Sequence, residues 1–166
     1  MRNFGIVGLI CSGVSLSLIL LSSALPYWER IEEGDRVVTI GLWMRCSKLD
    51  DDKEAFCSDL TTVEEFFLAV RAFVLMGLFL VASATVLGFI RMFVIKENKK
   101  ISLIAGVISV AAGSCMLIGA IVYAGRSSYL SEDTVHYHVG FALAIIAGVV
   151  GVVAGILTIV ESHTNC

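Results

Sequence analysis

The sequence predicts a four-helix transmembrane bundle with a strand-bearing outer segment, and three observations lead there. Hydrophobic residues make up 57% of the 166 residues and charged residues only 16%, with a mean hydropathy of +0.89. Soluble domains have roughly 45–50% apolar and about 25% charged residues. Four long stretches contain no Asp, Glu, Lys or Arg, and most of the charge is gathered in one segment between the first two. A chain this short cannot bury such an apolar excess in a core of its own, so a soluble enzyme is excluded. Abundant Leu, Ile and Val beside a single proline exclude disorder. A net charge of −3 gives no sign of a nucleic-acid binder.

The uncharged stretches are residues 4–25, 72–90, 101–125 and 139–160. Each can cross about 30 Å of hydrocarbon as a helix, which takes about 20 residues. Helices are expected because backbone groups in lipid must find partners within their own segment, and no stretch alternates as a barrel strand does. The first stretch follows Arg2 and ends near Ser22 and Ala24, as a cleaved signal would. Its 22 residues nevertheless exceed the usual core of such a signal, about 7–15 residues. Pro26, Tyr27 and Trp28 follow it, as at a membrane interface, so it reads as a retained first span.

Orientation comes from the loops. Residues 91–100 carry Arg91, Lys96, Lys99 and Lys100 against Glu97 alone. That density of cations in a short loop marks the cytosolic side. Both termini, including the tail at 161–166, are then cytosolic, and residues 26–71 and 126–138 lie outside. The cations of residues 26–71 do not oppose this, because long loops translocate largely regardless of charge.

Residues 26–71 hold 17 of the 27 charged side chains, 11 acidic and 6 basic. Within them, 37–44 is rich in β-branched and aromatic residues and reads as a strand, 48–54 as an acidic turn and 55–60 as a returning strand. Cys46 and Cys57 flank that turn, whereas Cys11 and Cys115 fall inside spans and Cys166 in the cytosolic tail. An oxidising compartment favours a Cys46–Cys57 bridge, which would contribute about 3 kcal/mol in the chain-entropy account. Two free thiols or a metal pair are the other readings. The C-x10-C spacing without a nearby His is not a common zinc arrangement. Thr61-Thr62-Val63-Glu64-Glu65 contains two overlapping capping boxes, so a helix is expected to start there and run through Arg71 into the second span.

Trp28, then Gly41-Leu42-Trp43, then Cys46 and Cys57 form a W…GLW…C…C series. It resembles the signature of the claudin superfamily, which includes the claudins, the peripheral myelin and epithelial membrane proteins, the lens fibre membrane intrinsic protein and the calcium-channel gamma subunits. Ala69-Val70-Arg71-Ala72-Phe73 resembles that family's entry to the second span, and Tyr137-His138-Val139-Gly140-Phe141 its entry to the fourth. The resemblance covers nearly the whole chain. It implies an all-α membrane protein with a small extracellular β-sheet: a left-handed four-helix bundle bearing antiparallel strands from the first outer loop and a contribution from the second. Trp28 and Trp43 would anchor this sheet to the bilayer surface or the helix tops, and Gly41 would allow a close backbone approach or a bulge. The 14 residues between Trp28 and Trp43 suit the myelin, epithelial and lens branch, and the Cys46–Cys57 gap is closer to that of claudins. The chain has no N-x-S/T sequon, and the C-terminal PDZ-docking dipeptide of claudins is absent.

Single residues carry two readings each. Trp28 is an interfacial belt residue or a specific anchor. Arg71 snorkels to headgroups or hydrogen-bonds loop carbonyls and holds the sheet. His136 and His138 form a metal or pH-sensing pair or a solvated loop. Asp50-Asp51-Asp52-Lys53-Glu54 binds calcium or is a solvated turn, and it lacks the glycine and spacing of an EF-hand. Ala147, Gly151 and Gly155 recur every fourth residue, with Ala84 and Gly88 repeating the theme. Such spacing serves packing within the bundle or an oligomer interface. Cys166 is a lipidation candidate outside any C-a-a-X box. No ionisable residue lies inside an uncharged stretch, which argues against an ion relay. No catalytic constellation, metal site or cofactor motif is visible.

The expectation is a non-enzymatic plasma-membrane protein of cell–cell contacts. It would work in adhesion or in membrane or tight-junction organisation through its outer sheet, as a homo-oligomer in cis and across the gap in trans. Two alternatives remain: an auxiliary, gamma-like subunit of a channel or receptor, and a claudin forming a paracellular barrier or cation-preferring pore.

Overall fold

A computed structural model describes residues 3–33, 36–49, 56–60, 65–94, 99–130 and 136–164. In chain order the elements are α1 (Asn3–Ala24), β1 (Glu29–Glu33), β2 (Arg36–Ile40), β3 (Met44–Leu49), β4 (Phe56–Asp59), α2 (Glu65–Phe93), α3 (Lys99–Leu130), β5 (His136–Tyr137) and α4 (Val139–Thr164). The four helices are long and apolar enough to cross a membrane. The strands form one antiparallel sheet at one end of the bundle, in the order β4-β3-β2-β1-β5.

The strand expected over 37–44 is divided. β2 ends at Ile40, the chain turns through Gly41, Leu42 and Trp43, and β3 starts at Met44. The turn is closed by the Gly41 N–H donating to the Met44 carbonyl at 2.9 Å. A methyl group at Gly41 would lie 2.5 Å from Pro26 Cα, so only glycine admits this approach. β3 runs on into the start of the expected acidic turn, and residues 50–55 of that turn lie outside the described residues. β1 has a single apolar residue among five and is held by pairing with β2 rather than by its own pattern. Of the capping boxes at 61–65, residues 61–64 lie outside the described residues, and Glu65 is the first residue of α2.

The helices outrun the uncharged stretches, because backbone hydrogen bonding continues past the first charged side chain. α2 takes in Glu65, Arg71 and Arg91, and α4 reaches Thr164, three residues past Glu161. The tail expected at 161–166 is therefore helical over its first four residues. The fourth uncharged stretch ends one residue before Glu161, which is buried in the last turns of α4.

α4 is the axle of the bundle, packing on α1 along one side and α3 along the other, while α2 packs mainly on α3. Serines seven residues apart line both seams. On α1, Ser15 donates to the Ala147 carbonyl at 2.9 Å and Ser22 to that of Gly140 at 2.7 Å. On α3, Ser109 donates to Gly151 at 2.9 Å and Ser102 to Thr158 at 3.2 Å. Donors and acceptors both repeat every seventh residue, the period of left-handed supercoiling. Such interhelical bonds contribute about 0.6 kcal/mol each in a membrane. Glycines bring α3 and α4 close enough to make them: a methyl at Gly113 would lie 2.5 Å from the Gly148 carbonyl oxygen, and one at Gly155 2.6 Å from that of Gly106. Ala147, Gly151 and Gly155 are thus buried between helices, with Gly151 admitting the Ser15 hydroxyl. The outward faces carry large apolar side chains such as Phe79, Val86, Phe89 and Ile121, as lipid contact requires.

Candidate interaction surface and its anchorage

Trp28 begins the anchorage. It is fully buried, so the belt reading does not describe its setting. Its Nε1 donates to the Ser22 carbonyl at 2.7 Å. Its ring meets Tyr123 edge-on at 5.2 Å and Phe141 at 6.3 Å. Its backbone joins the sheet's two parts: the Trp28 N–H donates to Ile40 at 2.9 Å, and the His138 N–H donates to the Trp28 carbonyl at 3.0 Å. One residue thereby ties α1, α3, α4, β2 and the approach to α4 together.

Glu29 follows and points the same way as its register partners Ile40 and Tyr137. It is buried, and its carboxylate accepts a hydrogen bond from the Tyr123 hydroxyl at 3.1 Å. Burial pushes its carboxyl pKa up from the ordinary value, and the Tyr123 bond opposes that in part. Sequence reading passed over this pair, since nothing local links positions 29 and 123.

The turn between β2 and β3 is the second anchor. Leu42 is fully buried among the helix tops. Arg71 of α2 donates from Nε to the Leu42 carbonyl at 2.8 Å, and its guanidinium carbon sits 4.8 Å from the centre of the Trp43 ring. Trp43 itself is 41% exposed, so the two tryptophans divide the work: one enters the bundle, the other covers Arg71 from outside.

Cys46 and Cys57 are directly paired in the β3–β4 register and joined by a disulfide, with Cα atoms 4.0 Å apart. Side chains alternate across a strand. The bridge, Thr39 and Arg30 therefore lie on the face opposite Glu29, Ile40 and Arg45. β4 is an edge strand whose four residues are all exposed. The strands carry equal numbers of acidic and basic side chains: Glu29, Glu32, Glu33 and Asp59 against Arg30, Arg36, Arg45 and Lys48. The acidic excess of this loop belongs to Asp35, residues 50–54 and Glu64, all outside the described residues.

His136 lies in β5 opposite Arg30, while the His138 ring sits 6.0 Å from that of Tyr27. Among the described residues, no group of three metal-ligating side chains comes together. Cys11 and Cys115 are free and half-buried within helices, and Cys166 lies outside the described residues. At the other end of the bundle, half-buried Arg91 and buried Glu161 form an ion pair that the sequence reading missed. The family model described as PMP-22/EMP/MP20/Claudin family matches residues 4–158. No curated protein matches the chain.

Proposed function

The chain belongs to the PMP-22/EMP/MP20/Claudin family, and from that premise we propose that it is a cell-adhesion and membrane-organising protein that works through its sheet. The observation that carries the proposal is the disulfide-closed sheet fixed to one end of the bundle by Trp28, Glu29 and Arg71. A surface held at three points keeps one orientation relative to the membrane, which is what repeated side-by-side or head-to-head contact requires. The sheet faces the cell exterior, both termini are cytosolic, and the protein gathers at contacts of the plasma membrane. The cation-rich loop at 91–100 supports that orientation. The protein associates with its own copies in cis, for which β4, the last strand of the sheet among the described residues, offers an edge, and in trans across the gap between cells.

An auxiliary-subunit role calls for small-residue faces free to meet a partner's helices. Here Ala147, Gly151 and Gly155 are taken up inside the bundle, which favours adhesion. A cation-preferring paracellular path would depend on the acidic residues at 50–54 rather than on the charge-balanced strands.

The test is expression of the tagged protein in cells that lack junction proteins. Enrichment at cell–cell contacts, faster aggregation of dispersed cells and ordered strands or arrays in freeze-fracture replicas are expected. An even surface distribution without aggregation, together with co-purification of a channel, would overturn the adhesion reading in favour of the auxiliary one.

A further inference from the structure

Arg71 uses only part of its guanidinium. Nε is committed to the Leu42 carbonyl, and one face is covered by Trp43. Among the described residues, the two Nη nitrogens have no hydrogen-bond partner, although the side chain is half-buried. The surroundings of that free edge are those of a lipid-exposed helix end. Leu68 and Leu75, one turn either side of Arg71 on α2, are exposed, and so are Met76 and Phe79 further along the same stripe. Trp43 and Met44 add an exposed apolar rim from the sheet side. A planar guanidinium, fixed in place by its own Nε bond and aromatic cover, presents a preformed fork for a phosphate oxyanion.

We propose that the Nη edge of Arg71, framed by Trp43 and Leu68, binds a phosphate group, with the phosphodiester of a phospholipid as its source. The acyl chains then lie along the Leu75–Phe79 stripe of α2 while the headgroup rests against Trp43. The same side chain that fixes the sheet thereby fixes it at a set height on the bilayer. The proposal needs only the membrane setting of the bundle and stands or falls apart from the adhesion reading.

The test uses the delipidated full-length protein in maltoside micelles, with native mass spectrometry reading lipid retention. The probes are dioleoylphosphatidylcholine and, as the phosphate-free control, dioleoylglycerol. The protein should retain the phospholipid roughly tenfold better than the diacylglycerol, the low end for a hydrogen bond to a charged group. Replacing Arg71 disturbs the sheet as well, so the decisive variant is Leu68→Glu. It puts a carboxylate three residues away on the exposed face, where it occupies the Nη fork and leaves the Nε bond intact. L68E should lose the preference with the disulfide and circular dichroism unchanged, and Leu68→Gln should keep it. Equal retention of both lipids, or an unaltered preference in L68E, overturns the site. Inorganic phosphate supplies the arm on source: if it displaces the phospholipid in wild type but binds no better than to L68E, the site is overturned. Competition that L68E abolishes supports the phosphate site with free phosphate as a ligand, and phospholipid retention untouched by phosphate supports the lipid.

Discussion

Arg91, in the last turn of α2, holds Glu161 of α4 through Nη1 and Oε2 at 2.6 Å, and both side chains are largely shielded from solvent. The pair closes the end of the bundle opposite the sheet. Gly5 of α1 makes room for it, because a Cβ at that position would run into the Glu161 carboxylate. Three helices therefore meet at one ion pair. A charge buried in that setting is tolerable only with its partner.

Removing either member alone leaves the other uncompensated, and the expected loss is about 3 kcal/mol for Glu161→Ala or Arg91→Ala. The double variant should lose much less than the sum. Unfolding of the four proteins of this cycle in detergent measures the coupling. Additive losses would show that the two side chains act separately.

The Glu29 carboxyl gives the sheet a pH response. Its folded pKa lies above the unfolded value because it is buried. The stabilisation is therefore fully present below the ordinary carboxylate range and is lost as pH rises through the raised value. Docking of the sheet should strengthen from neutral to mildly acidic pH. Glu29→Gln keeps an acceptor for the Tyr123 hydroxyl and should flatten that dependence without weakening the fold at neutral pH. Parallel thermal-unfolding profiles of wild type and E29Q across this range would contradict the assignment.

The Cys46–Cys57 bridge ties the edge strand β4 to β3, and β4 buries none of its four residues. Packing therefore contributes little to holding β4, and the covalent link carries more of that task. Cys46→Ser or Cys57→Ser should cost about 3 kcal/mol and reduce surface delivery, read by cell-surface biotinylation. Wild-type delivery and unchanged non-reducing mobility in both variants would count against the role.

The spans were legible because charge is forbidden in hydrocarbon, so its absence is a direct signal. The disulfide was legible because only two cysteines fall in the charged segment between the first two spans. Helix ends were not: a window cut at the first charge stops before Glu161 and excludes Arg91, although each is satisfied by the other across 70 residues. β1 was missed because Glu29-Arg30-Ile31-Glu32-Glu33 has no alternating pattern, and its strand state comes from β2 and β5 on either side. The turn at Gly41–Trp43 hid inside a run of β-forming residues, since Leu42 leaves the strand to enter the bundle. The serine seams were present in the spacing of Ser15 with Ser22 and Ser102 with Ser109. An uncharged serine is compatible with lipid, so only its recurrence at a seven-residue period distinguishes a seam from a lipid-facing position.

That seam yields a contrast between two glycines of similar surroundings in sequence. Gly113 faces α4, where an added methyl would meet the Gly148 carbonyl at 2.5 Å and the Val152 amide nitrogen at 2.7 Å. Both are backbone atoms of a packed helix and can move only if α3 and α4 separate. Separation would stretch the neighbouring Ser109 bond to Gly151 as well. Among the described residues, nothing lies within 4 Å of the same added atom at Gly13 of α1. Gly113→Ala should therefore destabilise the bundle by roughly 2–3 kcal/mol, within the range seen for overpacking. Gly13→Ala should be neutral, or stabilising by up to about 1 kcal/mol from helix propensity. Ser109→Ala, which removes one interhelical bond without crowding, should cost about 0.6 kcal/mol. Retention of the folded monomer in a denaturing-detergent titration ranks the three. An order in which Gly13→Ala proves the most damaging would mean that α1, and not the α3–α4 seam, sets the stability of the bundle.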